Sequence, residues 1–279
     1  MRKIIVYCTP SLYIPGGVER VLTTKANYLA EVAGYDITIV LTDGKGKEPY
    51  YPLSPKVKII QLDINFEELW HLSFIKKVFV YLKKQRIFKK RLTDTLMELR
   101  PDITVSLLRR EINFLTSIKD GSKKVGEIHV NKANYRNFES NNTNIIKDYF
   151  AKWWMNMLIK KVKKLDRFVV LTNEDKEKWH EIGRTEVIPN PIPHLSPTIG
   201  NLENKQVIAV GRYAYQKGFD LLIEAWKLVI EKHPDWTLNI YGSGERKVFQ
   251  EQIKRLGIEK NCILNGPTSN INKKYKYTF

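Results

Sequence analysis

Gly211-Arg212-Tyr213-Ala214-Tyr215-Gln216-Lys217-Gly218-Phe219-Asp220 joins two patterns of different period. Before it, Gln206-Val207-Ile208-Ala209-Val210 is a short apolar, β-branched run of strand type. After it, Leu221, Leu222, Ala225, Trp226 and Val229 recur at helical spacing. Arg212 and Lys217 therefore fall on a strand-to-helix loop beside a helix N-terminus. Unpaired N–H groups and the positive dipole end favour an anion there, above all a phosphate. Two fixed cations on such a loop suit a diphosphate. A solvated basic loop that only caps the helix fits the same residues, and the residues alone do not separate the two readings.

The phrase strand, glycine turn, helix recurs downstream. Trp236–Tyr241 reads as a strand, followed by Gly242-Ser243-Gly244-Glu245 and a helix with Phe249, Ile253 and Leu256 inward. Asn261–Leu264 is a further strand, followed by the loop Asn265-Gly266-Pro267-Thr268-Ser269-Asn270-Ile271. One glycine turn is a plain connection, but three in register along one sheet edge read as a ligand edge.

The first half alternates in the same way. Lys3–Tyr7, Asp36–Leu41, Val57–Leu62, Pro101–Leu108, Lys123–Ile128 and Phe168–Thr172 read as strands with helical segments between them, which predicts a doubly wound parallel sheet. After the first strand comes Gly16-Gly17-Val18-Glu19-Arg20, then helical spacing at Leu22, Ala26, Leu29 and Ala33. A Gly-Gly pair there admits a close backbone or ligand, and an ordinary βα turn uses it equally well. The third glycine of a nicotinamide fingerprint is absent. His129 follows the strand ending at Ile128, on the edge where α/β sheets bind ligands, although structural histidines occupy such places too. Thr172 reads as an N-cap with Glu174 and Asp175 in the first turn. In Glu186-Val187-Ile188-Pro189-Asn190-Pro191-Ile192 the prolines bar a helix and a central strand, so this segment reads as a stiff extended hinge before a polar linker, 193–204.

The 279 residues suffice for two Rossmann-like units, and 43% hydrophobic with 28% charged residues fits a globular α/β chain. No apolar run is long enough to span a bilayer, and the first eight residues are too short for a signal peptide, which leads to an expected cytoplasmic location. Cys8 and Cys262 lie in strand-like runs and read as reduced core residues. The net charge of +17 attracts phosphates. Part of it sits on residues 74–92, which carry many cations and no acid, with Phe74, Ile75, Val78, Phe79, Leu82, Ile87 and Phe88 at helical spacing. The segment reads as one basic amphipathic helix or a broken pair. A core-packed helix with a solvated face is the first reading, and an anionic membrane surface follows closely. Residues 145–165 form a second basic, aromatic helix whose Trp153, Trp154, Met155, Leu158 and Ile159 read mostly as core. Nucleic acid ranks last, because no nucleic-acid motif accompanies the charge.

Gly-Arg-x(4)-Lys-Gly at 211–218 resembles the donor-phosphate loop of GT-B glycosyltransferases of family 4, and Gly-Gly-x-Glu-Arg at 16–20 and Val-Ile-Pro-Asn-Pro at 187–191 are similar to further phrases of that family. The resemblance implies a GT-B-like α/β fold of two Rossmann-like domains: 1–192, acceptor-side, and 193–279, which binds the nucleotide sugar. It implies donor contacts from Gly16, Gly17, Arg212, Lys217, Gly242, Gly244, Gly266, Thr268 and Ile271, with Glu19 and Arg20 on the acceptor side. His129 matches the family histidine that contacts the donor sugar near the anomeric centre. His129, Arg212 and Lys217 are thus the implied catalytic set, with no metal and no cofactor beyond the co-substrate. The implied reaction is retaining transfer from a nucleotide sugar, UDP being the commoner nucleotide, to a lipid-linked or polysaccharide acceptor at the inner face of the membrane. The family places its Glu-x(7)-Glu signature in a stretch that would lie beyond residue 279, so the second domain reads as incomplete and the chain as cut short. The alternatives are an inactive remnant that still binds acceptor or membrane, and a charge-driven nucleic-acid binder.

Overall fold

The structure, a computed structural model, describes residues 2–132, 135, 145–192, 204–268 and 271–275. The chain divides into two compact units, Met1–Pro193 and His194–Phe279. The linker 193–204 lies, except for its last residue, outside the described residues.

In the first unit, β1 (Ile4–Thr9), β2 (Asp36–Leu41), β3 (Lys58–Gln61), β4 (Ile103–Ser106), β5 (Lys123–Glu127), β6 (Arg167–Val170) and β7 (Thr185–Val187) form one parallel sheet in the order β3-β2-β1-β4-β5-β6-β7. Period-two alternation explains how the sheet is covered on both faces. β1 sends Ile5 and Tyr7 to one side, where they join Leu22 and Ala26 of α1 (Gly17–Glu31). It sends Val6 and Cys8 to the other, where they join Phe88, Leu92 and Leu96 of α2 (Phe74–Leu99). The strand order reverses between β1 and β4, which is the switch point where doubly wound sheets open a crevice at their carboxyl ends.

α2 is a single unbroken helix of 26 residues, ended by Arg100 in the left-handed conformation and by Pro101, which cannot continue it. Its C-terminal half packs as a core helix. Its first turns do so only through Val80 and Tyr81: Phe74, Ile75, Val78, Phe79 and Leu82 are exposed, which corrects the core-packed reading for those five. α3 (Ile145–Val162) places Leu158 and Val162 in the core with Trp154, Met155 and Ile159 against it, whereas Trp153 is half exposed. α4 (Asn173–Lys178) is capped as its sequence suggests, Asp175 N donating to Thr172 Oγ1 over 3.1 Å. The segment read as a hinge begins as edge strand β7, paired with β6 before Pro189 stops the ladder.

In the second unit β8 (Gln206–Val210), β9 (Thr237–Tyr241) and β10 (Cys262–Asn265) form a parallel sheet in the order β10-β9-β8. α5 (Phe219–Lys232) buries Phe219, Ile223 and Trp226 at helical spacing, and α6 (Lys247–Leu256) buries Phe249 and Ile253. Trp226 Nε1 donates to Asn261 O over 2.8 Å, fixing α5 to the loop before β10. α7 (Ile271–Tyr275) follows. Cys8 and Cys262 are both free and buried, and burial pushes the Cys262 thiol up to about 12.

Candidate functional site

All three strands of the second sheet run parallel, so the loops after β8, β9 and β10 emerge on one edge. Their backbones interlock there. Gly211 N donates to Tyr241 O (3.0 Å), Tyr213 N to Ser243 O (2.8 Å), and Gly242 N to Asn265 O (3.2 Å). A Cβ on Gly242 would fall 1.7 Å from Gly211 O, so only glycine permits this approach. Gly244 takes φ +117°, a conformation that L side chains rarely adopt. The buried Tyr213 hydroxyl spans Ile240 O (2.7 Å) and Asn265 O (2.8 Å), tying the ends of β9 and β10 together. Burial holds that hydroxyl above its ordinary pKa, so it stays a donor. The loop sequence did not flag Tyr213; its signal was an aromatic side chain in an otherwise polar turn.

On this scaffold Arg212 and Lys217 are exposed, and among the described residues neither has a carboxylate within ion-pair distance. Gly218, in the left-handed conformation at φ +63°, lets the chain turn directly into α5, whose first-turn N–H groups lack helical acceptors. Two unneutralised cations and a helix N-terminus thus share one loop, the arrangement that binds phosphate oxygens. Gly266 and Thr268 follow β10 on the same edge, and a Cβ on Gly266 would meet nothing within 4 Å. Ile271 was expected on that loop. It instead opens α7 with its side chain buried, which leaves its backbone alone for contact.

In the first unit, Gly16 is the extended N-cap of α1 and Gly17 its first residue, so Glu19 and Arg20 belong to the helix's first turn. A Cβ on Gly16 would fall 2.0 Å from Glu19 Oε2, so Gly16 makes room for that carboxylate. A carboxylate folded over this helix mouth opposes a phosphate and suits hydroxyl groups. Around Gly17 the space is open. It belongs to a cavity of about 370 Å³ lined by Gly17, Val18, Arg20, Val21, Thr24, His129, Asn190 and Pro191.

His129 sits in a chain of polar contacts that its own position did not reveal. Lys25 Nζ, on α1, lies 2.7 Å from both Glu127 oxygens at the end of β5. Glu127 Oε2 is 3.5 Å from His129 Nε2, longer than a hydrogen bond of good geometry. On its other side His129 Nδ1 is 3.2 Å from Asn190 Oδ1. Burial alone would raise the Glu127 carboxyl, but His129 and Lys25 outweigh it and hold the group below its ordinary range. The ring is therefore fixed between two oxygens at the cavity wall. The spacing Glu127-x-His129 carried part of this signal, since residues two apart on an extended chain share a face.

At the switch point, Glu111 is buried. It accepts from Ser106 Oγ (2.7 Å) and Arg109 N (2.9 Å), and burial raises its carboxyl above the ordinary range. Leu108 beside it is fully buried at φ +51°, a conformation that is costly for a non-glycine residue. A groove of about 740 Å³ between α4 and β7 contains none of the sequence-predicted residues.

The model of Glycosyltransferase Family 4 matches residues 15–194, and that of Glycosyl transferases group 1 matches residues 197–278. An uncharacterized glycosyltransferase of Haemophilus influenzae is 31% identical over 248 residues, 86% of this chain and 61% of that protein. The amylovoran biosynthesis glycosyltransferase AmsD of Erwinia amylovora is 26% identical over 94% of this chain and 68% of its own length. The chain thus spans about two thirds of these relatives. A crystal structure of an S. aureus TarM mutant in complex with fondaparinux, alpha-GlcNAc-glycerol and UDP superimposes with a TM-score of 0.70. It covers 99% of this chain and 80% of that one at 15% identity, a likeness of fold.

Proposed function

Because the chain belongs to glycosyltransferase family 4, with the parallel sheets of a GT-B fold, we propose that it serves sugar transfer from a nucleotide sugar to a glycan acceptor. The observation that carries the reading is the loop after β8, where exposed Arg212 and Lys217, without carboxylate partners among the described residues, flank the start of α5. In this reading the two cations and the α5 N-terminus hold the donor's diphosphate and neutralise the charge that grows as it departs. UDP is the proposed nucleotide, as in the TarM complex, and Gly242, Gly244, Gly266 and Thr268 form its remaining wall.

His129 and the open face of Gly17 would position the sugar, the ring being held by Glu127 and Asn190. The transfer would retain anomeric configuration. The bond between the anomeric carbon and the diphosphate oxygen breaks, the acceptor oxygen bonds on the same face, and its proton passes to the leaving diphosphate. No side-chain nucleophile is assigned. The proposed acceptor is a lipid-linked or polysaccharide glycan, bounded by Glu19 and Arg20. Donor-hydrolysis turnover with a panel of nucleotide sugars tests the reading. Turnover with one donor, lost in Arg212→Ala, is expected. Turnover that Arg212→Ala leaves unchanged would refute the assignment.

A further inference from the structure

The first three turns of α2 carry an apolar stripe that the core does not cover. Phe74, Ile75, Val78, Phe79 and Leu82 are 81, 70, 42, 70 and 50% exposed. At 3.6 residues per turn they form one stripe about 140° wide. Val80, on the opposite side, and Tyr81, beside the stripe's edge, pack against the core, and Phe88, two turns after Tyr81, is fully buried. Trp70, in the 3-10 turn just upstream, is 69% exposed and extends the apolar surface. A globular helix needs only one apolar stripe, so the solvent-side stripe calls for an occupant.

Charge selects that occupant. No Asp or Glu occurs between Glu68 and Asp94, while eight Lys and Arg residues fall in 74–92. Lys84 is engaged by Glu68 and by the carbonyls of Ile64 and Asn65, and Arg91 by the carbonyls of Leu62 and Asp63. Lys76, Lys83, Arg86, Lys89 and Lys90 have no carboxylate within ion-pair distance among the described residues. By helical phase Lys76 and Lys83 border the stripe, while Arg86, Lys89 and Lys90 continue its face one to two turns further on. An apolar stripe that leads into cations matches a surface with a hydrocarbon interior under anionic headgroups. A second copy would set cation against cation, and nucleic acid would leave the five apolar side chains in water.

We propose that this face docks on an anionic phospholipid surface. The stripe from Trp70 to Leu82 enters the boundary between headgroups and acyl chains, and Lys83, Arg86, Lys89 and Lys90 meet lipid phosphates. This docking does not depend on the donor site, since none of these residues belongs to it.

Vesicle co-sedimentation of the full chain tests the idea, with phosphatidylcholine vesicles compared with vesicles containing about a third phosphatidylglycerol. Binding to the anionic vesicles alone is expected, weakening as salt rises. Phe74→Ser/Phe79→Ser should weaken it at least tenfold, and so should Lys83→Glu/Lys90→Glu. All four positions are solvent-facing, so unchanged melting curves would confirm that the variants fold. The proposal fails if anionic vesicles do not bind, or if the phenylalanine variant binds as well as the parent. It fails equally if sedimentation velocity shows a dimer that the same phenylalanine substitutions dissociate, because the stripe would then be covered by a second copy.

Discussion

Substituting Gly242 by alanine should cost far more than the same change at two other site glycines. The new Cβ would fall 1.7 Å from Gly211 O, a backbone atom with no side-chain freedom to move aside. An ordinary carbon–oxygen approach is about 3.2 Å, so the loops after β8 and β9 must part by about 1.5 Å. That separation breaks the bond from Tyr213 N to Ser243 O, now 2.8 Å, and strains that from Gly211 N to Tyr241 O, now 3.0 Å. Two hydrogen bonds at about 1 kcal/mol each, plus about 1–3 kcal/mol of overpacking, give a loss of about 3–5 kcal/mol. At Gly266 and Gly17 a Cβ meets nothing within 4 Å and neither residue has positive φ, so Gly266→Ala and Gly17→Ala should stay within about 1 kcal/mol of the parent. Urea denaturation followed by circular dichroism measures all three. With a slope near ~2 kcal/mol per molar, the Gly242→Ala midpoint should fall by ~1.5–2.5 M. Equal midpoints for Gly242→Ala and Gly266→Ala would refute the reasoning, because the loop interlock would then be free to open.

Lys25→Met leaves the buried Glu127 carboxylate without its close cation and should cost about 3 kcal/mol in urea denaturation, most of it recovered in Lys25→Met/Glu127→Gln. Because the folded Glu127 carboxyl is held below its ordinary 4.5, the stability it confers is present above pH 4.5 and lost as pH falls through the folded value, so the advantage of the parent over Glu127→Gln should shrink in acid. Glu111 has the opposite sign. Its folded carboxyl is raised by burial, so its contribution is complete below 4.5 and lost as pH rises through the folded value. Thermal melts of Glu111→Gln against the parent should therefore converge, or cross in favour of the variant, as pH increases. Tyr213→Phe removes the hydroxyl shared by Ile240 O and Asn265 O and should lower stability by about 1–3 kcal/mol, read in the same urea assay.

The strand-and-helix alternation was legible because each apolar run kept its period, and β2 begins and ends where the run Asp36–Leu41 does. The strand-to-helix loop at Gly211–Asp220 was legible for the same reason, since the period changes from two to 3.6 across it and leaves Arg212 and Lys217 between. The short edge strand β7 was hidden by Pro189 and Pro191, which bar a central strand but not a strand that ends before them. The surroundings of His129 were only half legible. Glu127 is two residues away, but Lys25 is 102 residues from Glu127 and Asn190 is 61 from His129, and no local pattern announces a contact at that separation. The exposed and the buried apolar residues of α2 merge in sequence into one hydrophobic helix, because periodicity marks apolar positions without saying which of them the core will cover. The glycines also divided along lines the sequence did not draw: Gly242 serves backbone packing, whereas Gly17 borders open space.

Calorimetric titration of UDP tests the central claim most directly, run on the parent, Arg212→Ala and Lys217→Ala. Charged hydrogen bonds to a diphosphate contribute about 1.5–3 kcal/mol each, so each substitution should weaken binding by about tenfold or more. His129→Ala, in the other unit, should leave UDP affinity unchanged. Parent-like UDP affinity in both Arg212→Ala and Lys217→Ala would contradict the account, because the cations at the start of α5 would then hold no phosphate.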